Sequence, residues 1–312
     1  MGESSRVELL QSFGYCCEII GVIKKNTLSV VLATRNEEMN IGRCLASVKG
    51  IADEIVVVDE DSTDKTRDIA KGFGAKVFLG PHHDIFHITK QKALEKSTGD
   101  WVLQLDADEV ITPALAKEII NVINMKNDEI KSRKIDNLRK RRLFERHQAL
   151  IEARDGKIGK DTGEIVGFFL PRRNIFLGKP LIHAGVYPDG VIRLVKSGKA
   201  KFPQKSVHEQ IQLDGEVAWL ENDLEHYDSP TLKRYLSRLN RYTDLKAQEL
   251  VNKNVPKNLL IFIHYSLFLP IYTFFNLYFR HLGLLDGVPG FLWSFFSAMH
   301  FPIFYFKYLT YK

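Results

Sequence analysis

Four short apolar runs, each closing in a polar or acidic cluster and each followed by a helix-length stretch, constrain this chain more than any other feature. Residues 28–33 form the first run, rich in β-branched side chains, and end in Thr34-Arg-Asn-Glu-Glu38. Ile41, Leu45 and Val48 then share one helical face. Residues 54–58 form a second run that ends in Asp59-Glu-Asp-Ser-Thr-Asp64. Ser62 or Thr63 is placed to cap a second helix, which runs to Gly72 or Gly74. The spacing predicts a third strand at 76–79, a third helix at 88–97 and a fourth strand at 101–105, which leads into Asp106-Ala-Asp-Glu109. Near-continuous apolar strands at βαβ spacing predict an α/β fold with a doubly wound, mostly parallel sheet covered by helices on both faces. In such sheets ligands bind beyond the carboxyl ends of the strands, where the acidic clusters stand. No G-x-G-x-x-G follows the first strand, which disfavours an ordinary dinucleotide dehydrogenase.

The remaining chain divides by texture. Residues 1–26 form a leader with no assigned role. Residues 27–228 are expected to be one catalytic-type domain, with 126–161 as a charged helical insertion inside a long polar helical region at 114–160. From 165 to about 228 short strands and turns are expected. Residues 230–252 predict an amphipathic helix, and 229–312 as a whole a helical, membrane-associated region. Two tail stretches, of 22 and 20 residues, hold no Asp, Glu, Lys or Arg, between Lys257 and Arg280 and between Asp286 and Lys307. That length meets the minimum for a bilayer span. Both contain Pro and are rich in Phe and Tyr, which favours helices lying in or dipping into one leaflet over two full spans.

Net charge is +6, and residues 126–161 carry twelve Lys/Arg against seven Asp/Glu, so this stretch supplies five of the six excess charges. The basic balance is therefore local, and no nucleic-acid partner is expected. Three cysteines without metal-type spacing suit a reducing compartment. The first residues lack the basic start and apolar run of a secretory signal.

Asp106 and Asp108 carry the sharpest chemical signal. Strand alternation is expected to point both carboxylates the same way. Two hard oxygen ligands suit Mg²⁺ or Mn²⁺, and a cation held there neutralises the charge of a departing diphosphate. The bland alternative is a polar turn at a strand end. Asp59 and Asp61 end the second strand, where a carboxylate can accept from a base or ribose, although Asp61 or Asp64 can equally cap a helix. Thr34, Asn36 and Glu37 end the first strand and can line the same crevice. Lys90 and Lys92 precede the fourth strand and can meet phosphate.

The series SVVLATRNEE, EIVVVDEDSTDKT and KQKALEKSTGDWVLQLDADE resembles the inverting glycosyltransferases of family 2, which have the GT-A fold. FFLPRRNIFLGKPLIHAGVYPDGVIRLVKSGKAKF, the Val207-His-Glu209 triplet, LEHYDSPTLKRYLSRLNRYTDL and FRHLGLLDGVPGF resemble a narrower group, the lipopolysaccharide-core and β-1,4-glucosyltransferase-like members. The resemblance implies that Asp59 and its neighbours hold a nucleotide-sugar, with UDP-sugar as the expected donor. It implies that Asp106 and Asp108 hold the metal. It implies a glycan or glycolipid acceptor in cell-envelope polysaccharide or lipopolysaccharide-type synthesis, at the cytoplasmic face of the membrane. Glu60-Asp61 departs from the family's usual D-D-G-S or D-S-x-S.

Inversion needs a base that takes the acceptor hydroxyl's proton. Glu209 and Asp189 are the candidates, Glu209 favoured. His208 can complete the metal shell, with His226 as competitor, and Arg172, Arg173 and Arg193 can clamp phosphate. A polyprenyl-phosphate sugar transferase and a non-catalytic nucleotide-sugar-binding scaffold are the alternative readings.

Overall fold

A computed structural model describes residues 25–83, 85–203 and 211–311, so the leader through residue 24 and the Val207-His-Glu209 triplet lie outside the described residues. The chain divides into two compact units, one of residues 1–172 with 188–226, the other of residues 173–187 with 227–312.

The first unit opens with the expected alternation: β1 (Leu28–Thr34), α1 (Ile41–Val48), β2 (Glu54–Asp59), α2 (Thr66–Gly72), β3 (Lys76–Leu79), α3 (Phe86–Glu95) and β4 (Trp101–Leu105). Further along the chain come β5 (Glu109–Ile111), α4 (Pro113–Asn124), α5 (Asn127–Ser132), α6 (Leu138–Asp155), β6 (Ile165–Phe176), β7 (Lys179–Pro180), β8 (Asp189–Lys196), β9 (Ala200–Lys201), β10 (Gln212–Leu213), β11 (Glu216–Trp219) and β12 (Leu224–Ser229), of which β7 and the ends of β6 and β12 belong to the second unit. The main sheet runs β3-β2-β1-β4-β8-β6-β12-β5. β3, β2, β1 and β4 are parallel, and β8 joins β4 antiparallel, Leu103 opposite Leu194. The doubly wound α/β fold is thus present, mixed beyond β4.

Residue alternation along each central strand builds two cores. Leu28, Val30 and Leu32 of β1, Ile55 and Val57 of β2, and Leu103 and Leu105 of β4 join α1 and α4 on one side. Val31, Val56, Val58 and Val102 join Ala93 of α3 and Ile151 of α6 on the other. All seven residues of β1 are buried, which is why the run is apolar on both faces. Removing one such side chain, as in Leu103→Ala, costs about 2–5 kcal/mol.

The polar region expected at 114–160 resolves into three helices of different character. α4 is a core helix, started by Pro113 at its first position and by Thr112, whose Oγ1 accepts from Leu115 N at 3.2 Å. Its buried face includes Leu115, Ile119, Val122 and Ile123. α6 carries the charge, with Phe144 and Ile151 as its buried residues.

In the second unit, α7 (Leu232–Asn252) starts at Thr231, whose Oγ1 accepts from Arg234 N. Two apolar helices follow, α8 (Leu259–Arg280) and α9 (Gly287–Thr310). The sequence treats the two alike, but the structure does not. α9 packs Phe304, Tyr305 and Tyr308 against Ala247 and Leu250 of α7. α8 is long and apolar enough to cross a membrane, and only 6% of its apolar window is buried.

Candidate active site

The carboxyl ends of β1 and β2 are laced together by side chains. Asp59 is fully buried and accepts from Thr34 Oγ1 at 3.0 Å, Ser62 N at 2.8 Å and Ser62 Oγ at 2.6 Å. Asn36 and Asp61 both adopt left-handed backbone, φ 54° and 53°, a conformation that Asn and Asp tolerate better than most residues. Asn36 N donates to Ser62 Oγ, and Asn36 Oδ1 accepts from Thr63 N at 2.8 Å. Glu37 N donates to Thr66 Oγ1 at 2.7 Å, and Glu37 Oε2 accepts from Asn40 Nδ2. Asp64, not Asp61, supplies the helix-start hydrogen bond, accepting from Thr66 N at 2.9 Å. Thr34, Asn36, Glu37 and Asp59 therefore first set the shape of this crevice edge, and Asp61 stands exposed on it.

Beyond β4 a row of alternating charges crosses the sheet. Lys90 Nζ of α3 lies 2.6 Å from Asp106 Oδ1. Arg193 Nη2 of β8 lies 2.5 Å from Asp106 Oδ2 and 2.7 Å from Glu109 Oε1. Arg172 of β6 lies 3.3 Å from Glu109 and 2.6 Å from Asp189 Oδ2. The order is Lys90, Asp106, Arg193, Glu109, Arg172, Asp189. Glu109 has no exposed side-chain surface, whereas Asp106 and Asp189 keep 27% and 32% of theirs. Those two carboxylates are the ones a ligand can reach. Burial pushes Asp106 upward, but the Arg193 and Lys90 charges outweigh it and hold the carboxyl well below the usual range. Burial lowers the Lys90 ammonium, with Asp106 opposing. Cys44 of α1 donates to Asp106 O at 3.6 Å, and its thiol is pushed up by burial and then by Glu109, Asp108 and Asp106. It is a buried thiol, not a nucleophile.

Asp106 and Asp108 do not sit on a continued strand. β4 stops at Leu105, and residues 106–108 turn into β5. Asp106 N donates to Glu109 Oε2 at 2.9 Å, and Glu109 N donates to Asp106 O at 3.0 Å, which closes the turn. The expected alternation is corrected accordingly: Asp106 joins the charge row, and Asp108 Oδ2 lies 3.6 Å from His226 Nε2 of β12. A carboxylate oxygen and an imidazole nitrogen at that separation fit a shared divalent cation. His226, the competitor named from sequence, is thus the histidine found there. His208 and Glu209 lie outside the described residues.

Lys92 is corrected in a similar way. Its Nζ meets His83 Nε2 at 3.0 Å, and the lysine that reaches Asp106 is Lys90. Arg172 and Arg193 enter the charge row, whereas Arg173 falls in the second unit. Sequence reasoning missed Glu109 and Glu60. Glu60 is fully buried, accepts from Thr89 Oγ1, and lies 2.8 Å from His82 Nδ1. Its signal was the unbroken acidic run Asp59-Glu60-Asp61.

Helix α6 supports the Asp189 end. Trp219 of β11 is stacked between Phe144 of α6 and Phe169 of β6 at 4.5 Å from each. Gly190 N donates to His147 Nε2 at 3.1 Å. Burial lowers the His147 pKa, and the neutral ring leaves Nε2 free to accept. A Cβ at Gly190 would lie 2.9 Å from His147 and closer still to Trp219, so only glycine fits beside Asp189.

Residues 29–181 match the family model described as Glycosyl transferase family 2. An uncharacterized glycosyltransferase of Rickettsia typhi is 41% identical over 104 residues, 33% of this chain; the match spans only 35% of that relative's length. The lipopolysaccharide core biosynthesis glycosyltransferase LpsC of Rhizobium meliloti is 26% identical over 89% of this chain and 92% of its own. Among solved structures, glucosyl-3-phosphoglycerate synthase of Mycobacterium tuberculosis in complex with phosphoglyceric acid is 15% identical, covering 80% of this chain and 85% of that one, at a TM-score of 0.40. The same enzyme in complex with Mn²⁺, UDP-glucose and phosphoglyceric acid aligns over 36% of this chain and 43% of that one, with 25% identity and a TM-score of 0.27. At those scores the fold is read from the strand order itself.

Proposed function

Because residues 29–181 belong to glycosyl transferase family 2, we propose that this chain transfers a sugar, with inversion, from a nucleotide-sugar to a membrane-borne glycan or glycolipid. The donor we propose is a UDP-sugar, and the setting is lipopolysaccharide-type synthesis at the cytoplasmic face of the membrane. The single observation that carries this reading is the Asp106–Asp108 turn at the carboxyl end of β4, beside a row holding three basic side chains. The likeness to LpsC along most of both chains supports the acceptor class. α8 supports the membrane.

Asp108 and His226 would hold Mg²⁺ or Mn²⁺, with His208 as a further ligand. Such a cation supplies charge neutralisation to a departing diphosphate. The chain's own groups do the rest. Lys90 and Arg193 stand where diphosphate oxygens can exchange for the Asp106 carboxylate. The loop Asn36, Glu37, Asp59 and Asp61 edges the nucleotide side. An acceptor oxygen attacks the anomeric carbon from the face opposite the diphosphate. As the new C–O bond forms, the sugar–phosphate C–O bond breaks, and its electron pair leaves on the diphosphate. The hydroxyl proton passes to a carboxylate, Glu209 or Asp189. The exposure of a third of the Asp189 side chain and its pairing with Arg172 support Asp189 in that role.

A screen of nucleotide-sugars for release of nucleoside diphosphate, with and without Mn²⁺ or Mg²⁺, tests the proposal. Metal-dependent release from one donor is expected. Tight nucleotide binding with no release in any acceptor mixture overturns it in favour of a binding scaffold. A lipid-phosphate sugar as product selects the polyprenyl-phosphate alternative, which the apolar α8 also suits.

A further inference from the structure

The outward face of α6 is a stripe of arginine flanked by leucine. Arg139, Arg142 and Arg146 are spaced three and four apart, so they stack along one side of the helix. All three are exposed. The ion pairs of α6 use other residues: Lys140 with Asp223, Arg141 with Glu145, Arg154 with Asp155. On the same side stand Leu138 and Leu150, each 61% exposed. The opposite side is the one that packs, through Phe144 and Ile151. Helix α6 therefore has two faces with separate tasks. One docks on the sheet, and the other offers fixed positive charge beside two large apolar side chains.

We propose that this face docks on an anionic lipid leaflet, the arginines meeting headgroup phosphates while Leu138 and Leu150 enter the boundary beneath them. Guanidinium pairs with phosphate oxygens through two parallel donors. A basic helix with apolar flanks binds an anionic interface by charge and buried area together. A nucleic-acid surface would want aromatic side chains for stacking or a groove to follow. This face lacks the aromatic side chains, since Phe144 of α6 is buried on the opposite side. The inference rests on the membrane-surface reading proposed above and adds to it a lipid class and a second point of attachment. It is independent of the catalytic reading.

The test is co-sedimentation of the full chain with vesicles of phosphatidylcholine alone and of an equal mixture of phosphatidylcholine and phosphatidylglycerol. Wild type is expected to prefer the mixed vesicles, and added salt to reduce that preference. The variant carrying Arg139→Ala, Arg142→Ala and Arg146→Ala is expected to lose affinity for mixed vesicles on the order of a hundredfold. Its binding to phosphatidylcholine, which reads α8, stays unchanged, as does release of nucleoside diphosphate. Arg142→Glu alone is the second variant, expected to shift the same preference in the same direction. A preference for mixed vesicles that survives both variants overturns the proposal. So does duplex DNA that strips wild type from the vesicles through the same arginines. Failure to bind phosphatidylcholine would instead count against the α8 reading.

Discussion

Arg193 Nη2 stands 2.5 Å from Asp106 Oδ2, and the same nitrogen lies 2.7 Å from Glu109 Oε1. One guanidinium thus pairs with two carboxylates, of which Glu109 has no exposed side-chain surface. Arg193→Met removes that partner from both, and a loss of about 3–5 kcal/mol in unfolding free energy is expected. Urea denaturation of the two proteins measures it. A change under about 1 kcal/mol would show that water replaces the guanidinium at little cost.

Asp108 and His226 make a separate prediction. Asp108→Asn is expected to abolish metal-dependent release of nucleoside diphosphate while leaving the thermal midpoint near wild type. His226→Ala is expected to raise the metal concentration needed for half-maximal rate by tenfold or more. A metal titration of initial rates, with thermal melts of the same proteins, reads both, and an unchanged half-maximal metal concentration in His226→Ala would remove that histidine from the metal shell.

The two candidate bases separate by kinetics. Asp189→Asn and Glu209→Gln each keep shape while removing a proton acceptor. Loss of the true base is expected to lower kcat about 10²–10⁴-fold with donor binding intact. The other variant should shift KM or stability instead.

Glu54 sets an acid-side dependence. Burial pushes its carboxyl up, but hydrogen bonds from Lys76, Ser29 and Thr98 outweigh burial and bring it down to about 2 from 4.5. A folded-state pKa below the unfolded one adds stability that is fully present above the unfolded value and is lost as pH falls through the folded one. Glu54→Gln should therefore be less stable than wild type at neutral pH. The gap should narrow between about pH 4.5 and 2. Parallel denaturation curves across that window check the sign.

Gly190→Ala places a methyl group against His147 and Trp219. The cost is expected to be about 1–3 kcal/mol in stability, with kcat falling as Asp189 shifts. The change in near-ultraviolet circular dichroism from wild type, to which Trp219 contributes beside Trp101 and Trp293, checks the displacement.

Much of this was legible in the chain itself, and the failures share one cause. β1, β2 and β4 are buried on both faces, so their apolar runs stand out without any partner being known. The doubly wound fold follows from them. The charge row does not, because Asp106 and Arg193 are 87 residues apart, and only the pairing of β8 with β4 brings them together. Spacing along one strand cannot supply that. Strand alternation does not extend to Asp106 and Asp108, because β4 ends at Leu105 and the Glu109 backbone and side chain close a turn there. Lys90 and Lys92 differ only in helical phase, and on α3 that phase depends on where the helix begins. The two tail helices look equivalent in composition, and it takes the packing of α9 on α7 to show that α8 is the one turned outward.

Lys90, Arg193 and Arg172 against Asp106, Glu109 and Asp189 are three cations and three anions in strict alternation. Such a row projects little field into solvent, so it gives no long-range steering to an anionic donor. Capture by this row would then depend on collision and on local exchange, each phosphate oxygen displacing a carboxylate from a guanidinium or ammonium group. The freed Asp106 carboxylate would be left with uncompensated charge at the moment the diphosphate arrives. A bimolecular on-rate nearly indifferent to ionic strength is the kinetic signature of a crevice built that way.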